Sequence, residues 1–120
     1  MKILLADDSI TMRGIILRSL QAAGCGDNIV EAVDADDAFT KFKPHEFDLA
    51  VIDSNMPGIS SLDLIKEIRQ QDEKVKIFLI IVYSEEGRVM SVIEQGADDY
   101  LVKPFTVDAL REKVNKHFPA

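Results

Sequence analysis

Five short apolar runs, each followed by a helix-patterned segment, constrain this chain more than any other feature. The runs are Ile3–Ala6, Asn28–Val33, Leu49–Asp53, Ile77–Val82 and Asp99–Val102. They are rich in β-branched residues and leucine, and nearly continuous rather than alternating, the pattern of strands covered on both faces. The helical segments are Thr11–Ala23, Asp36–Phe42, Ser61–Gln70, Glu86–Gln95 and Thr106–Phe118. Met12, Ile16, Leu20 and Ala23 form the stripe of the first; Val107, Leu110, Val114 and Phe118 form that of the last. Ser9, Ser60 and Thr106 stand where N-caps belong, Asp34, Asp36 and Asp37 stand at the start of the second helix, and Gly24 and Gly96 close C-termini. Five βα units predict an α/β fold: a doubly wound five-stranded parallel sheet with five helices, in one domain over residues 1–120.

Composition narrows the function classes. The AVILMFWYC residues make up 47% of the 120-residue chain, an ordinary globular share. Acidic side chains number 21 against 14 basic ones, a formal charge of −7, which argues against direct nucleic-acid binding. One cysteine, Cys25, excludes an internal disulfide and suits a reducing compartment. The longest strongly apolar run, Ile77–Tyr83, falls far short of the roughly 20 residues that span a bilayer. Asp7 and Asp8 interrupt any signal-like N-terminal segment. The chain is expected to be soluble and cytoplasmic, with no membrane insertion.

Parallel α/β sheets bind ligands at the carboxyl ends of their strands. There the first run ends in Asp7–Asp8, the third in Asp53 and the fifth in Lys103–Pro104. Three carboxylates brought to one edge repel one another unless a cation joins them. Oxygen ligands without a Cys/His cluster suit Mg2+ better than Zn2+. A carboxylate nucleophile, a divalent cation and a lysine together make a phosphoryl-acceptor site. Taken singly, each residue has an ordinary reading: a helix-start acid, a turn acid before Met56-Pro57-Gly58, an exposed lysine. Their conjunction on the appropriate strands favours function.

Three motifs recur in order: Ile3–Leu5 with Ala6-Asp7-Asp8-Ser9, Asp53-Ser-Asn-Met-Pro-Gly58, and Gly96-Ala-Asp-Asp-Tyr-Leu-Val-Lys-Pro-Phe105. Over its whole length the chain resembles the receiver domain of bacterial two-component response regulators, in the stand-alone form of the chemotaxis regulators. The resemblance implies a flavodoxin-like strand order 2-1-3-4-5. It implies that Asp53 accepts a phosphoryl group from a sensor histidine kinase or histidine phosphotransfer protein. Asp8, Asp53 and the backbone carbonyl of Asn55 would ligate Mg2+, with Asp7 acting through water. Lys103 would pair with Asp53 and then with the phosphoryl oxygens, and Pro104 would follow a cis bond. Tyr100 would report activation on a face formed by the fourth helical segment, the fifth strand and the last helix. That face would meet a downstream protein target, the chain being a monomer or weak homodimer.

The chain departs from the family at the end of the fourth run. Counted back from Lys103 without a gap, Ile81 stands where the family has Thr or Ser, and Val82 where it keeps a small residue. Ile81 cannot donate the hydroxyl hydrogen bond that links phosphoryl group to Tyr100, and Val82 adds bulk beside the acceptor. Ile81 can leave the relay uncoupled, weaken it, or bias Tyr100 by packing; these readings stay open. Ser60–Ser61 replace an Asp-Gly pair, a neutral change for capping. Cys25 reads as a semi-exposed turn thiol, His45 and His117 as surface histidines, and Gly14 as a place for close approach of a docking helix.

Three functions compete. The leading one is a phosphorylation-dependent signalling module, not a turnover enzyme. A phosphorylation-independent docking domain is the alternative, with Ile81 as its mark. A Mg2+-dependent aspartyl-phosphate hydrolase is disfavoured, because its Asp-x-Asp motif and cap domain have no counterpart here.

Overall fold

The computed structural model of the chain describes residues 1–56, 60–82, 93 and 95–119. Its elements run β1 (Lys2–Ala6), α1 (Ile10–Ala22), β2 (Asn28–Ala32), α2 (Ala35–Lys41), β3 (Leu49–Asp53), α3 (Ser61–Gln71), β4 (Lys76–Val82), β5 (Asp99–Lys103) and α4 (Val107–His117). The segment expected as a helix over Glu86–Gln95 lies, apart from Ile93 and Gln95, outside the described residues, as do Tyr83, Ser84 and the Pro57-Gly58 turn. The strands form one parallel sheet in the order β2-β1-β3-β4-β5.

Strand alternation sorts the apolar side chains into two cores. Leu4, Ala6, Ala50, Ile52, Ile77, Leu79 and Ile81 share a layer with Ala38 of α2 and Leu64, Ile65 and Ile68 of α3. Ile3, Leu5, Leu49, Val51, Phe78, Ile80 and Leu101 pack on the other face with Ile16 and Leu20 of α1 and Leu110 and Val114 of α4. Burial on both faces is why the runs of β1, β3 and β4 read as continuously apolar, while the edge strand β2 is only partly buried.

Local signals fix the helix ends. Ser9, Asp34, Ser60 and Thr106 each accept a backbone N–H, from Met12, Asp37, Asp63 and Ala109 respectively, each cap being worth roughly 1 kcal/mol. The helix after Ser9 therefore starts at Ile10, one residue before Thr11. Because Asp34 is the cap, α2 begins at Ala35 and ends at Lys41, and Phe42 turns extended to stack on Phe47 at 5.6 Å. Gly24 sits at φ +85° just past α1, the left-handed closure that glycine adopts without strain.

Two readings from sequence are corrected. Cys25 is buried, its thiol donating to the Leu20 carbonyl at 3.3 Å, and burial pushes its pKa up. It joins the core layer of Ile16 and Leu20. His117 is half-buried rather than on the surface: its ring packs on Phe78 at 5.3 Å and meets Asp99 at 2.9 Å.

Two charged nodes tie the far end of the sheet, opposite the strand carboxyl ends. Arg69 of α3 donates to the Asp72, Glu73, Val75 and Gly96 carbonyls and to Asp98, joining α3 to the chain entering β4 and β5. Asp99, 5% exposed, holds α4 against β5 through Lys113 at 2.8 Å and His117 at 2.9 Å, with Lys116 at 3.7 Å. Burial works against the Asp99 carboxylate. Hydrogen bonds from Lys113, His117 and the Tyr100 amide outweigh it and bring the pKa from 3.8 down to about 2. A depressed carboxylate pKa contributes stability above the unfolded value, lost as pH falls through the folded one. Asp99→Asn should therefore lower unfolding stability by about 2 kcal/mol near pH 7. That gap should narrow as the pH drops from 3.8 toward 2 in urea unfolding curves; a gap independent of pH would contradict the assignment.

Candidate functional site

The carboxyl ends of β1, β3 and β5 converge on an open cleft of about 420 Å³ lined by Asp7, Asp8, Ser9, Asp53, Ser54, Asn55, Val82 and Lys103. The topology explains the convergence. β1 is hydrogen-bonded to β3, and β3 to β4, so the residues leaving these strands emerge side by side. Val82 pairs with Lys103, which puts the β5 lysine level with the end of β4.

Asp53 is 3% exposed, and the Lys103 ammonium donates to its Oδ1 at 2.7 Å. Asp7 is fully buried; one carboxylate oxygen accepts the Ser9 amide at 2.9 Å, while Oδ2 has no hydrogen-bond partner among the described residues. Asp8 is exposed at the mouth. One carboxylate oxygen from each of the three aspartates lies within 4.8 Å of the other two. Burial raises the Asp7 pKa above 3.8; Asp53 and Asp8 push it the same way, against the Ser9 amide and Lys103. Among the described residues, three acids thus face one contacting lysine, and a buried carboxylate oxygen is left over. A buried anionic oxygen without a donor is costly. The three aspartates together form an oxygen-only donor set that fits a hard divalent cation.

The sequence-expected residues divide by strand alternation. Asp53, Lys103, Asp7, Asp8 and Asn55 all reach the cleft, and Val82, 43% exposed, lines it beside them. Ile81 points the other way. It is 2% exposed, within the core layer on which Tyr100 and Val102 pack. Tyr100 is half-buried on that layer, and the Lys113 ammonium stands 5.2 Å from its ring centroid. The Lys103–Pro104 bond is cis.

Two contributors were not legible. The buried Ser61 hydroxyl donates to the Asp53 carbonyl, tying the start of α3 to the end of β3. Its only sequence signal was the Ser60–Ser61 pair, read as neutral capping. Arg13, one turn into α1, donates to the Asp7 carbonyl at 2.8 Å and pairs with Glu31. Nothing in its spacing marks that contact.

Comparison with known proteins places this geometry in a wider set. Residues 3–115 match the family model described as response regulator receiver domain. The chain is 40% identical to chemotaxis protein CheY-3 of Vibrio cholerae, covering 98% of this chain and 92% of that protein. It is 39% identical to chemotaxis protein CheY of Pseudomonas aeruginosa, with 98% and 96% covered. Among solved structures, V. cholerae CheY4 superposes with a TM-score of 0.85 at 28% identity over 98% of each chain. The receiver domain of NtrX from Brucella abortus gives 0.87 at 26% identity over 97% of each.

Crowded carboxylates set the expected metal response. Because the folded-state pKa of Asp7 is raised, its ionisation destabilises the fold, increasingly so as pH rises above 3.8. In chelated buffer at pH 7, Asp8→Asn should raise the melting temperature by a few degrees, by relieving repulsion. Excess Mg2+ should stabilise the native chain by linkage and leave that variant nearly unmoved. A variant that keeps the full Mg2+ shift would remove Asp8 from the site.

Proposed function

Since the chain belongs to the response regulator receiver domain family, we propose that residues 1–120 form one receiver domain and act as a phospho-accepting switch in a two-component phosphorelay. The observation that carries this reading is the Asp53–Lys103 pair at 2.7 Å, in a cleft shared with the buried Asp7. The donor is a sensor histidine kinase or histidine phosphotransfer protein, and the output is altered binding of a protein target.

The chemistry follows from the groups present. A carboxylate oxygen of Asp53 attacks the phosphorus of a phosphohistidine; the P–O bond forms as the P–N bond breaks, and the imidazole leaves. Lys103 orients the carboxylate beforehand, and the same ammonium can bind the phosphoryl oxygens as charge arrives. Mg2+ held by Asp8, Asp53 and the Asn55 carbonyl, with Asp7 behind them, would offset negative charge on the transferred group. Asp7 is fixed for that role by the Ser9 amide and by Arg13 on its carbonyl. Ser61 restrains the backbone that carries Asp53.

Val82 shares the cleft with the acceptor, so it restricts approach to Asp53. Ile81 faces the layer that supports Tyr100 and offers no hydroxyl. A charge-assisted hydrogen bond is worth about 1.5–3 kcal/mol, a large share of what a population switch needs. Coupling to Tyr100 is accordingly partial. A phosphorylation-independent docking domain is the second reading, and the burial of Ile81 beneath that face is the observation favouring it.

Incubation with Mg2+ and a small phosphodonor should add one acid- and base-labile phosphoryl group, absent in Asp53→Asn. Intact mass spectrometry reads it, and no adduct in the native protein would leave the docking reading. Val82→Ala should be modified several-fold faster; equal rates would refute the steric argument alone. With beryllofluoride as the phosphoryl mimic, Ile81→Thr should enlarge the NMR displacement of the Tyr100 amide. A native response already complete, and unchanged by Ile81→Thr, would show that the missing hydroxyl is not needed.

A further inference from the structure

Asp99 and Tyr100 are neighbours on β5, an edge strand, so their side chains leave opposite faces of the sheet. Yet one side chain of α4 touches both. The Lys113 ammonium lies 2.8 Å from Asp99 Oδ1 and 5.2 Å from the Tyr100 ring centroid. The distance to the ring is within reach of a cation–π attraction. The length of the lysine side chain makes the double contact possible at this edge strand. Asp99 does not depend on Lys113 to keep α4 in place, because His117 and Lys116 approach its other oxygen. Anchoring the helix and placing the lysine are therefore separable tasks.

We propose that Asp99 and Lys113 form a positioning pair that sets the Tyr100 ring: Asp99 fixes the ammonium and the ammonium holds the aromatic face. This deepens the proposed function and rests on it, since Tyr100 is the residue through which the phosphoryl signal would reach a target. The signal at Asp53 then has two opponents. Ile81 gives it no hydroxyl to pull on, and Lys113 restrains the ring it must move. Lys113 is 31% exposed, so both contacts are partly shielded from water, where charge–ring attraction is stronger than at an open surface.

The test is ¹³C-tyrosine NMR on the full chain. The sequence holds two tyrosines and no tryptophan, so Tyr83→Phe assigns the Tyr100 ring. Lys113→Met and Asp99→Asn should shift the Tyr100 ring resonance in the same direction. The double variant should go no further than the larger single one. Lys113→Arg, which keeps charge and ring contact, should restore the native position, and His117→Gln, which loosens only the anchor, should leave it unmoved. Should Asp99→Asn fail to fold, Lys113→Met, Lys113→Arg and His117→Gln decide the matter. With beryllofluoride and Mg2+, the Tyr100 displacement should grow at least twofold in Lys113→Met. An unmoved ring in Lys113→Met, an Arg variant displaced as far as the Met one, or a His117→Gln shift of equal size would overturn the pair. So would a beryllofluoride displacement that Lys113→Met leaves unchanged. Absence of any beryllofluoride shift at Asp53 and Lys103 would instead overturn the proposed function, while the ring comparison without beryllofluoride still decides the pair.

Discussion

Mutual repulsion among Asp7, Asp8 and Asp53 is the constraint around which the rest of the molecule is arranged. A parallel sheet delivers strand ends to one edge, and here those ends carry three acids whose oxygens lie within 4.8 Å of one another. Among the described residues, one contacting lysine and the Ser9 amide meet this charge, and a buried carboxylate oxygen is left without a donor. No gain in packing accounts for such a cluster. The surrounding structure is built to hold it. Fully buried β3 fixes Asp53, Ser61 pins the Asp53 carbonyl, and Arg13 clamps the Asp7 carbonyl. The site is poised for added positive charge, and a transferred phosphoryl group is one species such charge would admit.

Period-two alternation then decides how the unusual end of β4 acts. Residues 81 and 82 are adjacent in sequence but belong to different compartments. Val82 lines the cleft, while Ile81 is sealed in the layer that supports Tyr100. On the proposed reading Val82 would act on access and Ile81 on coupling, and the two effects are separable by experiment. The same alternation sends Asp99 and Tyr100 to opposite faces of β5, where Lys113 rejoins them.

Much of this was legible because backbone rules govern it. The fold followed from five continuous apolar runs, and the caps at Ser9, Ser60 and Thr106 followed from hydroxyl chemistry at helix starts. The cleft residues Asp7, Asp8, Asp53 and Lys103 followed from the strands they end. What failed to show were contacts made by long or small side chains across elements. Lys113, Arg69, Arg13 and His117 reach partners far from them in sequence, and no periodicity encodes a rotamer. Cys25 read as a turn thiol because its glycine neighbours suggest exposure, yet the chain turns it inward. Ser61 looked like part of a neutral cap, since nothing local signals that its hydroxyl reaches back to Asp53.

The most direct measurement of the central claim is a double-mutant cycle on folding stability with Asp7→Asn and Asp53→Asn, run in chelated buffer and in excess Mg2+. A cycle isolates the pairwise energy between the two carboxylates from their other contacts. Without the cation, the coupling should be repulsive, on the order of 1 kcal/mol, with the second substitution gaining less than the first. In excess Mg2+ its sign should reverse, because both carboxylates then serve one ion. A coupling near zero, or of the same sign in both buffers, would contradict the account: the three aspartates would not act as one cation-dependent site.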